Sequence, residues 1–184
     1  RIANDPVRFS SAAAVPPLES INPPEVMAVV GPLAPGTQRN LLLSDPPGHA
    51  ALRAVANRVM GGRRINAVQA AMRAIADDLV DAFVDDGRAD LVAQFSHVYV
   101  RRVMATVIGL PDADVEGASS GAVDLFALMT PGLPADVKLA AAHGYRRYSD
   151  RILELVEERR AQPGDDMISE LAQLDDLPGT PLNT

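Results

Sequence analysis

From about residue 48 onward, apolar residues recur at helical spacing along this 184-residue chain. Leu52, Val55, Ala56, Val59 and Met60 follow the i, i+3, i+4, i+7, i+8 template of an amphipathic helix, and Gly61-Gly62 predict its end. A second helix is predicted over Asn66–Asp86, with Val68, Met72, Ile75, Leu79, Val80 and Phe83 inward and Gly87 as its stop. Asp90-Leu91-Val92 reads as a short strand. A third helix is predicted over Gln94–Ile108, with Phe95, Val98, Tyr99, Val103, Val107 and Ile108 inside, closed by Gly109 and Pro111. A fourth lies near Val115–Met129. The fifth, Ala135–Ala161, is built on Val137, Ala141, Tyr145, Tyr148, Ile152, Leu155 and Val156. Asp165 is the expected N-cap of a last short helix reaching Leu174.

The first 44 residues lack this periodicity. Pro6, Pro16, Pro17, Pro23, Pro24, Pro32 and Pro35 break them up, which predicts a fraying helix end and a long loop with one helical turn near Pro24–Val30. A loop of that length in a compact domain is usually functional or disordered. With no internal repeat or low-complexity tract, residues 1–184 read as one mainly α segment with little sheet.

A hydrophobic share of 47% and a charged share of 22% are those of an ordinary globular chain, which excludes disordered and collagen-like classes. There is no cysteine, so disulfides, a cysteine nucleophile and a thiolate-held metal are excluded within this chain. His49, His97 and His143 are too scattered for a zinc site, and no metal ligands are assigned. A net charge of −7 disfavours nucleic acid and anionic membranes, and the absence of tryptophan argues against a base-stacking platform. No apolar run approaches the ~20 residues that cross a bilayer, and the first residues do not read as a signal peptide. A cytoplasmic location is the expectation. The charge is uneven, however: between Asp45 and Arg73, five arginines against one acid give a net +4, leaving −11 elsewhere.

The best chemical signal lies in that basic stretch. His49 and Arg53 are four apart and share a helix face that borders the Leu52–Val55–Val59 stripe. Two nitrogen donors beside an apolar wall suit a carboxylate or phosphate on a greasy body. From the spacing alone, a helix-start histidine and an exposed arginine with no ligand weigh more. His97 reads as a core or boundary histidine and His143 as a surface residue. Asp77, Asp78, Asp81, Asp85 and Asp86 read as a solvated face rather than a cation site. No phosphate-cradling glycine loop, HExxH or nucleophile elbow is present.

Asp45-Pro46-Pro47-Gly48-His49-Ala50-Ala51-Leu52-Arg53 resembles the D-P-P-x-H-x-x-L-R at the start of the C helix in the cytochrome P450 family, bacterial soluble type. Three more stretches agree in order. Asp5–Ser11 is similar to the D-P-x-x-F-S-S after the B helix. Asp90–Val92 with Val107–Pro111 is similar to the strand and the V-I-G-x-P end of the E helix. Glu158–Asp166 is similar to the E-R-R-x-x-P-G-D-D between the G and H helices.

The resemblance implies a partial, mainly α cytochrome P450 fold covering helices C to H. It implies a haem-dependent monooxygenase that inserts one oxygen atom of dioxygen into a small hydrophobic organic substrate, with electrons from a ferredoxin or flavin-type donor. The cofactor would be haem b, its iron held by a cysteine outside this segment, so a polypeptide longer at both ends is expected. Carried over by position, His49 and Arg53 would bind a haem propionate. Leu41, Leu42 and Leu43, in the 11–44 loop, would approach the substrate, as would Leu125 and Met129 below the lid loop through Pro134. Arg58, Arg63 and Arg64 would form the docking surface for the electron donor, with Arg53 partly buried and Arg58, Arg63 and Arg64 exposed. No catalytic residue is assigned within the chain. The alternative is a non-catalytic helical ligand-binding or interaction module without the haem-thiolate site.

Overall fold

Proline and glycine set the ends of most helices here, and burial selects which faces turn inward. The computed structural model describes residues 8–12, 14–31 and 41–174, with the backbone of 176–177 and 180–181. Asp5–Val7 of the first family-like motif and residues 32–40 of the expected loop lie outside the described residues. Among them, α1 (Leu18–Ile21) and α2 (Pro24–Val30) come first. The expected single turn is thus a seven-residue helix preceded by a four-residue one. Pro23-Pro24 starts α2 as expected of a proline at N1.

The α3 helix (Gly48–Val59) follows a cis Pro46–Pro47 bond, and His49 N–H donates to the Asp45 carbonyl at 3.0 Å. Only Met60 and Gly61 separate it from α4 (Gly62–Asp81). The sequence expectation placed the start of α4 at Asn66. An extended Gly61 acts instead as the N-cap, its carbonyl accepting from Arg64 and Ile65 N–H. The end is also earlier than expected: a 3-10 turn at Val84–Asp86 and a left-handed Gly87 follow.

No strand forms at Asp90–Val92. The Asp90 carboxylate accepts from Val92 and Ala93 N–H at 3.0 and 3.1 Å, capping a π-helical turn, Leu91–Ser96, that runs straight into α5 (His97–Ile108). That local hydrogen bonding beats the β preference of Leu91-Val92. A two-residue antiparallel pair, Asp176–Leu177 (β1) with Thr180–Pro181 (β2), is the sheet among the described residues.

The α6 helix (Val115–Met129) and α7 (Ala135–Ala161) keep their predicted bounds and pack as a hairpin. Glycines let them close up: a Cβ on Gly121 would collide with Tyr148, and one on Gly144 with Asp124. Arg151 on α7 grips Asp114 with two bonds of 2.9 and 3.0 Å, fixing the start of α6. The last helix, α8 (Met167–Ala172), is capped by Asp166 rather than Asp165. The Asp166 carboxylate accepts from Ser169 N–H at 2.6 Å and from Arg159 at 2.7 Å.

The main core lies between α1, α2, α6 and α7. Leu18, Val26, Val30, Leu128, Ala141 and Ala142 are buried there, with Ile21, Met129 and Tyr145 packed around them. Full burial of a Val or Leu side chain is worth about 1.5–3 kcal/mol. The segment expected as a loop with one helical turn therefore supplies half of this core.

Candidate functional site

Before α3 begins, Asp45 ties down a distant segment. One carboxylate oxygen accepts from Ser10 Oγ at 2.5 Å and the other from Ser11 N–H at 2.8 Å. The Ser10 hydroxyl, then the Ser11 N–H, hold the Asp45 carboxyl below the ordinary carboxylate range. The motif's aspartate thus anchors the residues of the other family-like motif, at the point where α3 starts.

On the first turn of α3, His49 is half-buried; one turn on, Arg53 is exposed. The expectation of a partly buried Arg53 is corrected: its side chain is exposed. Leu52 and Val55 beside it are only half-buried, and Val59 alone on this helix is fully buried. Arg53 has no carboxylate partner among the described residues. The result is a donor pair, half-buried His49 and exposed Arg53, next to half-buried apolar residues. A cationic guanidinium and an imidazole there suit an anionic group carried by a flat apolar body, so the donor set fits a haem propionate.

The basic island divides. Arg58 is exposed and only 3.9 Å from Glu170, and Arg63 is exposed. Arg64 is not the exposed residue expected. Its guanidinium donates to the Val59 carbonyl at 2.8 Å and to Glu170 at 3.0 Å, with its side chain 13% exposed. It ties α3, α4 and α8 together. His97 is exposed rather than a core or boundary residue, and His143 is exposed as expected. The aspartates of α4 and its following turn all face solvent, and no cluster able to hold a metal occurs among the described residues.

Of the residues expected to approach a substrate, Leu41 and Leu43 are half-buried and Leu42 is 67% exposed. They precede α3 and belong with its N-terminus. Leu125 and Met129 lie one turn apart on α6, both half-buried, and Met129 packs against the main core.

Sequence reasoning missed Lys138 and Asn22. Lys138 was outside the expected stripe, which began at Val137; Val137 is 43% exposed and Lys138 1%. Burial pushes the Lys138 ammonium below its ordinary value. The signal was available: Lys138 shares a helix face with Ala141, Ala142 and Tyr145, three, four and seven residues on.

No family model matches the chain. The cytochrome P450 monooxygenase PikC of Streptomyces venezuelae is 31% identical over 147 residues, 79% of this chain and 34% of that protein. The mycinamicin IV hydroxylase/epoxidase of Micromonospora griseorubida is 35% identical over 140 residues, 74% of this chain and 33% of that one. The chain thus spans about a third of the length of the curated relatives it matches. In fold, it is similar to cytochrome P450 CREJ solved with (4-ethylphenyl) dihydrogen phosphate. The TM-score is 0.77 over 90% of this chain and 41% of that one, at 23% identity. With the D-P-P-x-H-x-x-L-R segment opening α3 and the helical order matching solved members, this chain belongs to the cytochrome P450 family, as a segment of that fold.

Proposed function

We propose that the chain is part of a haem-dependent monooxygenase acting on a small hydrophobic organic substrate. The observation that carries this is the donor pair on α3. His49 and Arg53 stand one turn apart on an open face, Arg53 without a carboxylate partner among the described residues, beside the half-buried Leu52 and Val55. The names of the relatives, a monooxygenase and a hydroxylase/epoxidase, support the reaction class.

In this reading His49 and Arg53 would hold a haem propionate, with the half-buried Leu52 and Val55 supplying apolar surface beside them. When bound, haem b supplies the dioxygen chemistry that puts one oxygen atom into substrate. The thiolate for its iron comes from outside these 184 residues, which contain no cysteine. Asp45, tied to Ser10 and Ser11, sets where α3 begins and therefore where both donors stand. Leu41–Leu43 and the Leu125–Met129 face of α6 exclude water from the substrate. Exposed Arg58 and Arg63 attract an acidic electron donor of ferredoxin or flavin type. The protein works in the cytoplasm.

The test is the visible spectrum of the protein that carries this sequence, reduced and treated with carbon monoxide. A haem-thiolate Soret band is expected. A spectrum without one, after reconstitution with haem, overturns the reading.

A further inference from the structure

The largest fully buried side chain in the described structure is a lysine. Lys138, in the first turn of α7, carries its Nζ into the main core. It donates to the Ile21 carbonyl at 2.7 Å and to Asn22 Oδ1 at 3.0 Å. Asn22, itself 7% exposed, donates through Nδ2 to the Leu18 carbonyl at 2.9 Å and to the Leu128 carbonyl at 3.0 Å. Leu18 and Ile21 belong to α1 and Leu128 to the last turn of α6. Their carbonyls lie near helix C-termini, where in-helix donors run out. Among the described residues no carboxylate pairs with Lys138; the Ile21 carbonyl at the end of α1 and the Asn22 amide oxygen receive its charge, and Asn22 carries the link on to the Leu128 carbonyl at the end of α6.

This arrangement does more than fill space. Asn22 accepts on one side and donates on the other, and only one orientation of its amide serves all three partners. Removing Asn22 strands groups on α1, α6 and α7 at once, and removing Lys138 strands the Ile21 carbonyl and frees the Asn22 amide that reaches α6. The link also spans the chain: Asn22 lies 106 residues from Leu128 and 116 from Lys138. Around it, Val26, Val30, Leu128, Ala141 and Ala142 close the same contact with apolar surface.

We propose that Lys138 and Asn22 form a buried strap that makes residues 18–30 and the α6–α7 hairpin open and close as one body. This goes beyond the haem reading and does not depend on it. A carbon monoxide spectrum without a haem-thiolate band leaves the strap untouched, and a failed strap leaves that spectrum as it was.

Native-state hydrogen exchange on the purified protein that carries this sequence tests it. In the parent, amides of α2 and of the α6–α7 junction are expected to share one opening equilibrium, distinct from that of α4 and α5. Lys138→Met and Asn22→Ala are each expected to speed exchange in both places by about tenfold or more, the cost of stranding a buried polar group. Amides of α4 and α5 keep the parental rate. In the double variant the two effects combine to less than their product, since the groups depend on each other. If Lys138→Met does not fold, Asn22→Ala carries the same comparison, because it keeps the bond from Lys138 to the Ile21 carbonyl. Faster exchange confined to α2 in Asn22→Ala, or unchanged exchange in both regions, overturns the strap. So does a double variant whose effects simply multiply.

Discussion

The α1–α2–α6–α7 region and the α3 region are held in opposite ways. The first has a closed core: Leu18, Val26, Val30, Leu128, Ala141 and Ala142 are buried against one another, and the Lys138 ammonium beside them is satisfied by the Ile21 carbonyl and the Asn22 amide oxygen. The second is open. Of α3 only Val59 is fully buried, and the helix is held by its ends, through Asp45 to Ser10 and Ser11 and through Arg64 from the Val59 carbonyl to Glu170. A region that has buried its own surface answers to mutation by losing stability. A region that leaves Leu52, Val55 and His49 half-buried and Arg53 exposed answers by losing whatever covers them.

The largest effect expected from this contrast is in the closed region. Leu128 is 1% exposed, and Leu128→Ala is expected to cost about 2–5 kcal/mol of unfolding free energy in a denaturant titration. Leu52→Ala on α3, where the side chain is half-buried, is expected to cost under about 1 kcal/mol in haem-free protein. Equal losses at the two positions would erase the distinction.

Next comes the open face. His49→Ala with Arg53→Ala is expected to speed haem loss to apomyoglobin by tenfold or more. Hydrogen bonds to a charged group are worth about 1.5–3 kcal/mol each. The helical circular dichroism of the haem-free protein should stay at the parental value, since neither side chain holds the fold. Haem retained as firmly as in the parent would remove the propionate assignment.

The contrast also explains which features the sequence revealed. The α6 and α7 helices were legible to the residue because Thr130–Pro134 and Gln162-Pro163-Gly164 punctuate long periodic runs. His49 and Arg53 were legible as a pair because four-residue spacing is a local property. What escaped was decided across the chain. Residues 18–23 read as loop, and Pro24–Val30 as no more than one helical turn, because their apolar residues gain meaning only against α6 and α7. Lys138 rather than Val137 is buried because its ammonium reaches the Ile21 carbonyl, 117 residues earlier in the chain. Arg64 read as solvated because nothing local shows Glu170 beside it. Asp90–Val92 is the local exception: it read as strand from its apolar pair, and the Asp90 carboxylate, accepting from the N–H groups two and three residues on, makes it a capped helical turn instead.

A smaller effect separates the joints of the two regions by pH. Burial raises the Asp166 carboxyl, but the Ser169 N–H, Arg159 and the Ser169 hydroxyl outweigh it and hold the group below its ordinary value. A carboxyl whose folded pKa is depressed stabilises the fold above its unfolded pKa. It loses that stabilisation as pH falls through the folded pKa. The α7–α8 joint should therefore begin to weaken as pH falls through the ordinary carboxylate range and lose this contribution below it. Asp166→Ala should remove that acid dependence and cost about 0.5–2 kcal/mol at neutral pH as a lost N-cap. An acid limb identical to the parent's in a pH series of denaturant titrations would show that the joint does not rest on this group.

The smallest effect concerns the surface of the open region. Arg58 and Arg63 are exposed, whereas Arg64 on the same stretch is engaged internally. If the exposed pair steers an acidic electron donor, Arg58→Glu with Arg63→Glu should slow reduction by such a donor several-fold at low ionic strength and flatten its salt dependence. Rim charges act on encounter rates more than on the bound complex, so the effect should fade as screening shortens the reach of each charge. Arg64→Gln is the control that sharpens the comparison. It removes the ion pair to Glu170 and should lower unfolding free energy while leaving the salt dependence of reduction as in the parent. The 3.9 Å approach of Arg58 to Glu170 is too loose and exposed to confound this, since exposed pairs contribute about 0–1 kcal/mol. Reduction rates that ignore Arg58 and Arg63 at low salt, or that follow Arg64 instead, would leave the island's surface arginines without a docking role.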